Sequence, residues 1–351
     1  MRTKIYEVNA DNLQEKLDEL REAGRIIKEG GLVAFPTETV YGLGGNALDE
    51  ESSRKIYAAK GRPSDNPLIA HIAEMDGLYP LVKEVPETAK KLAECFWPGP
   101  LTMILKKNDN VPYATTGGLD TVAVRMPEHP VARELIKAAG VPVAAPSANV
   151  SGRPSPTIAR HVIEDLGGRI DVIIDGGQVN IGLESTIVDL SGEVPTILRP
   201  GYISRQMLEK VVGRVDMDPA LYAAPDKHVR PKAPGMMYRH YAPKGELTIV
   251  EGDPANVVRY INGQIEAYGR ERSGVITTTE NMDKYDCAKV VSLGYREDED
   301  SVAREMYGAL RIMDEYNISN IFVESFEGGR LGEAIMNRLN KAAGHRTVHV
   351  S

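Results

Sequence analysis

The sequence predicts an α/β fold in two domains, and three observations carry that expectation. Short apolar runs alternate with amphipathic stretches of helical period through residues 1–215, and again through residues 246–351. Between them lie residues 216–245, with five prolines (Pro219, Pro225, Pro231, Pro234 and Pro243) and little periodicity. The length of 351 residues is enough for two domains with buried cores. A large twisted sheet is expected in the first region and a smaller open α/β sheet of Rossmann type in the second. Alternation alone does not separate parallel from mixed pairing; a mixed large sheet is the expectation taken here.

Element by element, Leu13, Leu17, Leu20 and Ile27 mark one face of a first helix, which stops at Gly30-Gly31. Leu32 to Phe35 reads as a buried strand. Asp49 is placed to cap a helix through Ile56 and Tyr57 to Lys60, closed by Gly61 and Pro63. Further strands are expected at 68–72, 101–106, 122–125, 143–145, 172–174, 186–188 and 197–199. Helices are expected at 87–96, 131–139, 157–166 and 205–212. The second region repeats the pattern: strands at 247–250, 274–277, 289–293 and 321–323, with helices at 257–268, 301–316 and 331–343.

Composition narrows the function classes. Apolar residues are 42% and charged residues 26%, the balance of an ordinary globular protein. The net charge of -8 supplies no global basic field for nucleic acid or anionic membrane. Four cations, Arg54, Lys55, Lys60 and Arg62, nevertheless fall close together and allow a local basic cleft. The two cysteines, Cys95 and Cys287, are far apart, so no disulfide framework is expected and a reducing cytoplasm is the natural setting. The first residues lack the basic start and apolar core of a signal peptide. No apolar run approaches the ~18–20 residues of a membrane span.

The most informative stretch is Phe35-Pro36-Thr37-Glu38-Thr39-Val40-Tyr41-Gly42-Leu43, followed by Lys60-Gly61-Arg62-Pro63 and Asp65-Asn66-Pro67-Leu68. A strand, a turn dense in hydroxyls and a helix ending in two cations make a plausible anion site. Ala145-Pro146-Ser147-Ala148-Asn149 and Leu183-Glu184-Ser185-Thr186-Ile187 fit the same site. Hydroxyls, amides and cations without a nucleophile–base pair point to phosphate handling by positioning and charge.

Each motif alone has a bland alternative. Lys60 and Arg62 suit a solvated helix end, where cations offset the dipole. Gly42-x-Gly44-x-x-Ala47 loosely matches a dinucleotide fingerprint, but Lys60 to Asn66 stand where its acid belongs, so these glycines read as turn punctuation. A lone strand histidine such as His71 is more often a core residue than a ligand. Trp97-Pro98-Gly99-Pro100 reads as a helix stop with a packed indole. Ser147-Ala148-Asn149 suits a simple Asx turn. The scattered histidines and cysteines offer no zinc spacing, and no protein-held metal is expected.

Taken in order, however, these motifs resemble the long form of the L-threonylcarbamoyl-adenylate synthase family, with its YrdC-like catalytic domain. The resemblance covers nearly the whole chain. It rests on Pro36 to Leu43, Lys60-x-Arg62, Asn66-Pro67-Leu68, Trp97 to Thr102, Val122-Ala123-Val124-Arg125, Ser147-Ala148-Asn149, Glu184-Ser185-Thr186 and Leu198-Arg199-Pro200-Gly201, with Pro234 to Pro243 as the long-form signature.

The resemblance implies a nucleotidyl transfer: L-threonine, bicarbonate and ATP give threonylcarbamoyl-AMP and pyrophosphate. The product serves N6-threonylcarbamoyladenosine formation beside the tRNA anticodon. Both reactants are anionic, so cations must offset their repulsion. Lys60 and Arg62 are assigned to the catalytic phosphate contacts, together with Arg199, and Mg²⁺ is expected to bridge the phosphates. Asn66, Thr121, Ser147, Asn149, Ser155 and Tyr241 complete the expected ATP set. For the threonine pocket the resemblance implies Thr37, His71, Arg125, Ala145 and Ser185. Handover to the downstream tRNA threonylcarbamoyl-transferase machinery is an expected partnership, with weak or no direct tRNA binding. Two alternatives stay open: an RNA- or tRNA-binding module using the same cleft without chemistry, and carbamoyl or nucleotidyl transfer to another amine.

Residues 216–245 carry one more expectation. Proline-rich chain is stiff and extended, so this segment is expected to run across the catalytic domain. Pro234–Pro243, with Met236, Met237, Tyr238, His240 and Tyr241, is then placed to cover the nucleotide and exclude water from labile intermediates.

Overall fold

The first unit of the chain is built on an eleven-stranded sheet that mixes both pairing directions. A computed structural model describes residues 2–222, 231–234, 240–326 and 328–351. Its elements are β1 (Lys4–Glu7), α1 (Leu17–Lys28), β2 (Val33–Phe35), β3 (Gly42–Asn46), α2 (Glu50–Lys60), β4 (Ile69–His71), α3 (Glu87–Phe96), β5 (Leu101–Lys106), β6 (Thr121–Arg125), α4 (Pro130–Ala139), β7 (Val143–Ala144), α5 (Ala159–Leu166), β8 (Val172–Asp175), β9 (Thr186–Asp189), β10 (Thr196–Arg199), α6 (Arg205–Val212) and β11 (Asp216–Met217). The strand order is β1-β8-β2-β3-β7-β4-β6-β5-β9-β10-β11. Pairs such as β4 with β6 and β5 with β9 are parallel, whereas β2 with β3 and β5 with β6 are antiparallel.

Local chemistry explains the borders. The Asp49 side chain accepts from the amides of Glu51 and Ser52 and so starts α2. Gly61 ends it in the left-handed region, at φ 60°. The glycines expected as turn punctuation lie in β3 instead. A Cβ on Gly44 would sit 2.8 Å from Phe35 Cε1 and 2.8 Å from Val143 Cγ1. Glycine there lets side chains from both neighbouring strands close over the backbone, and the sequence reads as a turn only because glycine is rare in strands.

Period two assigns the strand residues to faces. One face, with Ala34, Ala70, Met103, Val124, Ala144 and Ile173, packs on α2, α3, α5 and α6. On the other, Val33, Phe35, Val143, Val172 and Ile174 pack under α1 and α4. Toward β4, β6, β5, β9 and β10 that second face changes cover: Ile69, Ile104, Ala123, Ile187 and Leu198 close around Ala233. The proline-rich segment therefore lies on the sheet where its described residues begin again, at Pro231–Pro234.

The second unit has a five-stranded sheet, order β14-β13-β15-β12-β16. It comprises β12 (Glu246–Gly252), α7 (Pro254–Tyr268), β13 (Ser273–Thr277), β14 (Lys289–Ser292), α8 (Glu299–Glu315), β15 (Asn320–Glu324), α9 (Gly332–Ala343) and β16 (Thr347–Val350). All four pairings are parallel, as a Rossmann-like domain requires. The grouping into units departs from the composition-based divisions 1–215, 216–245 and 246–351. The first unit is Met1–Ser151, Pro156–Asn180 and Glu184–Tyr238; the second is Gly152–Ser155, Ile181–Leu183 and Arg239–Ser351. Among the described residues no helix is long and apolar enough to cross a membrane.

Candidate active site

Strand register assembles the first half of the site. β4, β6 and β5 are neighbours, and their pairing aligns His71, Arg125 and Thr102 in one row. The row continues into β9 and β10 through hydroxyls and a guanidinium. Thr102 Oγ1 lies 2.7 Å from Ser185 Oγ. Arg199 donates from Nη2 to that Ser185 hydroxyl at 3.1 Å and from Nε to the Ser185 carbonyl at 3.0 Å.

Arg125 is buried, 4% exposed, and a buried guanidinium needs partners. The turn between β2 and β3 supplies them. Arg125 Nη2 is 2.6 Å from Glu38 Oε1, and its Nη1 donates to Thr39 Oγ1 at 2.8 Å. Its Nε donates to the Gly99 carbonyl at 3.3 Å. Thr37 donates its hydroxyl to the Val40 carbonyl at 2.6 Å and lies 2.8 Å from Thr39 Oγ1, which fixes the turn from within.

His71 is buried beside this row, edge-on to Phe35 with ring centroids 6.3 Å apart. Its Nδ1 lies 3.1 Å from the Ile69 carbonyl, which can only accept, so the ring donates there. Burial, then the charge of Arg125, pushes its pKa down to about 3, and the imidazole is neutral at pH 7. Ala145 donates its amide to the Ile69 carbonyl at 2.8 Å and packs against Gly42. The expected threonine set, Thr37, His71, Arg125, Ala145 and Ser185, is thus gathered by contact and register around one stretch of sheet.

The expected nucleotide set divides. Asn66 is fully buried; its backbone carbonyl accepts from Tyr57 Oη at 3.0 Å and Arg62 Nη2 at 3.3 Å. Among the described residues, neither polar atom of the Asn66 side chain has a hydrogen-bond partner. Thr121 opens β6, the strand paired in parallel with β4 just downstream of Asn66. Lys60 is turned into the protein. It is buried, and its Nζ donates to the carbonyls of Ser147 and Asn149, each at 2.5 Å. Burial, reinforced by Arg62, holds its pKa well below the usual lysine value, while Asp165 acts the other way. Lys60 is thereby a strut for the loop after β7; phosphate contact would have to be made without those two donors. Ser147 sits opposite Gly42 in an isolated bridge, and Asn149 Nδ2 donates to the Val150 carbonyl at 2.9 Å.

Ser155 and Tyr241 belong to the second unit. Both are buried; the Tyr241 ring packs 5.2 Å from Tyr307, with a backbone φ of 64°. Within that unit Arg311 Nη2 donates to the Pro154 carbonyl at 2.7 Å and holds the backbone ahead of Ser155. In the first unit, Arg199 Nη1 reaches the Pro234 carbonyl at 3.5 Å. Met236, Met237 and Tyr238 lie outside the described residues.

Comparison with known proteins adds the identity of this arrangement. A family model described as telomere recombination, of the Sua5–YciO–YrdC group, matches residues 25–201. A second, described as threonylcarbamoyl-AMP synthase, C-terminal domain, matches residues 203–344. A threonylcarbamoyl-AMP synthase from Pyrococcus abyssi is 50% identical over 344 residues, 97% of this chain and 98% of that protein. One from Bacillus subtilis is 47% identical over 350 residues, covering 99% and 100%. The chain belongs to the threonylcarbamoyl-AMP synthase family. It is a long-form member, with a YrdC domain and a Sua5 C-terminal domain, and a nucleotidyltransferase. A solved structure of the P. abyssi Sua5 protein complexed with L-threonine superposes with a TM-score of 0.92 at 47% identity, covering all of both chains.

Three residues of this synthase-family site were not singled out from sequence: Glu38, Thr39 and Thr102. All lie inside quoted motifs. The available signal was Glu38 itself, an acid held between two threonines within an otherwise apolar run, where burial without a cationic partner would be prohibitive.

Proposed function

We propose that the chain joins L-threonine, bicarbonate and ATP into threonylcarbamoyl-AMP with release of pyrophosphate, and that the row His71–Arg125–Thr102–Ser185–Arg199 is the floor of that reaction. The observation that carries this reading is the row itself: two buried guanidiniums, a neutral imidazole and a line of hydroxyls on one sheet face. Arg125 and Ser185 suit the carboxylate and hydroxyl of threonine. Arg199 suits the nucleotide phosphates, and the Asn66 amide and the Thr121 hydroxyl are assigned to polar edges of ATP. Ser147, Asn149 and Arg62 are assigned to the nucleotide as well.

Chemically, threonine first takes up bicarbonate carbon as a carbamate. A carbamate oxygen then attacks the α-phosphorus as pyrophosphate departs. The work of the chain is to align two anions and neutralise their repulsion. Among the described residues no group of three or more His, Cys, Asp or Glu is placed to hold a metal. Hydroxyls, amides and cations suit phosphate oxygens rather than a divalent ion, so Mg²⁺ is assigned to the ATP phosphates and enters with them. We assign the reaction to the cytoplasm and its product to tRNA threonylcarbamoylation. The labile adenylate favours direct handover to the transferring enzyme, and the acidic balance of the chain argues against strong tRNA binding.

The test is pyrophosphate release from the purified chain with each reactant omitted in turn, with mass detection of the adenylate. Release that needs threonine, bicarbonate and ATP together supports the reading. Release without bicarbonate, or equal release with an unrelated amine in place of threonine, defeats it.

A further inference from the structure

The pocket assigned to threonine contains a cation for its carboxylate but, in Thr37, His71, Arg125, Ala145 and Ser185, no anion for its ammonium. Free threonine carries both charges. Its nitrogen can attack bicarbonate only after losing a proton, so the reaction also needs a base.

Glu38 fits that gap. It is 4% exposed, and its Oε1 is held 2.6 Å from Arg125 Nη2. Its second oxygen, Oε2, is buried with no hydrogen-bond partner among the described residues. A carboxylate oxygen left bare in a protein interior is costly, and a carboxylate built only to balance Arg125 would gain by using both oxygens on it. Arg125 has five N–H groups. Among the described residues three are engaged, by Glu38, Thr39 and Gly99, which leaves two for a ligand carboxylate. The carboxylate and ammonium of an amino acid share one carbon. A threonine whose carboxylate takes those two N–H groups has its ammonium within reach of the carboxylate already bound to the same guanidinium.

We propose that Glu38 is the catalytic residue that receives the threonine amino group, and that its Oε2 first binds the ammonium and then accepts its proton. The proton count closes. One proton passes from the ammonium to Oε2, and the freed electron pair forms the C–N bond to the bicarbonate carbon. The C–OH bond breaks, and hydroxide leaves as water with a second proton from nitrogen. The third N–H stays on the carbamate. His129 is a neighbouring titratable group: burial holds its pKa below the ordinary imidazole value against the opposing charge of Glu38, and among the described residues its buried Nδ1 has no partner. Arg125 meets the same carboxylate from β6.

This inference rests on the proposed reaction, and its test is separable from that of the reaction. Glu38→Gln keeps an acceptor for Arg125 and removes the base. Threonine binding by calorimetry should weaken about tenfold or more, the scale of one charge-assisted hydrogen bond, with the KM for ATP little changed. Its rate of pyrophosphate release should recover as pH is raised through the titration of the free amine, where carbamate forms unaided. Should the variant fold poorly, the native chain decides: 2,3-dihydroxybutyrate, with a hydroxyl in place of the amine, should compete with threonine only weakly. Native-like threonine affinity and an unchanged pH profile in Glu38→Gln, or competition by the hydroxy acid equal to that of threonine, would overturn the assignment while leaving the reaction itself in place.

Discussion

Lys60 Nζ and the backbone carbonyl of Ser147 lie 2.5 Å apart, and the same nitrogen donates to the carbonyl of Asn149 at the same distance. A lysine at the C-terminal end of α2 therefore pins the loop that follows β7, eighty-seven residues away in sequence. A motif that reads as a pair of phosphate-facing cations contains one residue turned inward. Arg62, half-exposed, remains the member of the pair that can meet solvent.

The first expectation follows from that strut. Lys60→Met keeps the apolar stem and removes the donors, leaving two carbonyls unpaired in a buried loop at a cost of about 1–3 kcal/mol each. The melting temperature should fall by several degrees, and the KM for ATP should rise more than the KM for threonine, because the loop carries Ser147 and Asn149. By contrast Arg62→Ala should slow turnover about ten- to a hundredfold with little loss of stability. Scanning calorimetry with initial rates separates the two. Equal stability in both variants would mean that the strut contributes nothing.

His71 sets a pH dependence whose sign can be worked out. Its folded pKa of about 3 lies below the ordinary imidazole value of 6.5, so the unfolded chain binds more protons between those limits. Stability therefore rises with pH through that window and is lost as pH falls below 6.5. His71→Gln, which cannot titrate, should lose less than the native chain. The difference in melting temperature, native minus variant, should shrink by several degrees from pH 7.5 to pH 4.5. A gap that stays constant would show that the imidazole is not held neutral.

Much of this was legible in the sequence. The borders of α2, α3, β5 and α6 follow from capping residues and period alone, because Asp49, Gly61 and the apolar spacing act locally. β3 was not legible, since the reason for its glycines is the bulk of Phe35 and Val143 on flanking strands. The short strand β16, Thr347–Val350, has too few apolar residues to announce itself. In the site, Arg125 and His71 were named, but their shared row depends on parallel pairing of strands fifty residues apart. The inward turn of Lys60 was not legible for a similar reason: nothing local says whether a helix-end lysine turns out to solvent or in to a loop.

Selectivity should follow the pocket chemistry. Thr102 and Ser185 offer hydroxyls to the substrate hydroxyl, and threonine exceeds serine by one methyl, worth ~1–3 kcal/mol in an apolar niche. Serine should therefore be used at about 0.5–20% of the efficiency of threonine. Valine should be rejected more strongly, because it leaves buried hydroxyls unpaired. Competition assays that follow each carbamoyl-adenylate by mass will measure both. Comparable use of valine and threonine would remove Ser185 from the pocket.

The last expectation concerns Ala233, which is fully buried among Ile69, Ile104, Ala123, Ile187 and Leu198. One residue on, the Pro234 carbonyl accepts from Arg199 at 3.5 Å, and one residue before, Lys232 Nζ lies 3.9 Å from Asp189 Oδ2. Lys232 to Pro234 are thus fastened to the sheet beside the guanidinium assigned to phosphate. Prolines 231 and 234 limit how far these residues can flex, so displacing Ala233 should displace Pro234 with it. Ala233→Glu puts a charge into that apolar niche, which the chain can relieve only by lifting the segment away. Hydrophobic-dye binding should rise and the KM for ATP should increase about tenfold or more, with Ala233→Ser falling between the variant and the native chain. Cutting the chain after Arg214 is the harsher form of the same experiment, since it also removes β11 from the sheet edge, and it should abolish most product formation. Native dye binding and native KM for ATP in Ala233→Glu would show that the segment is a passive tether, and that Arg199 needs no help from Pro234 to hold its place.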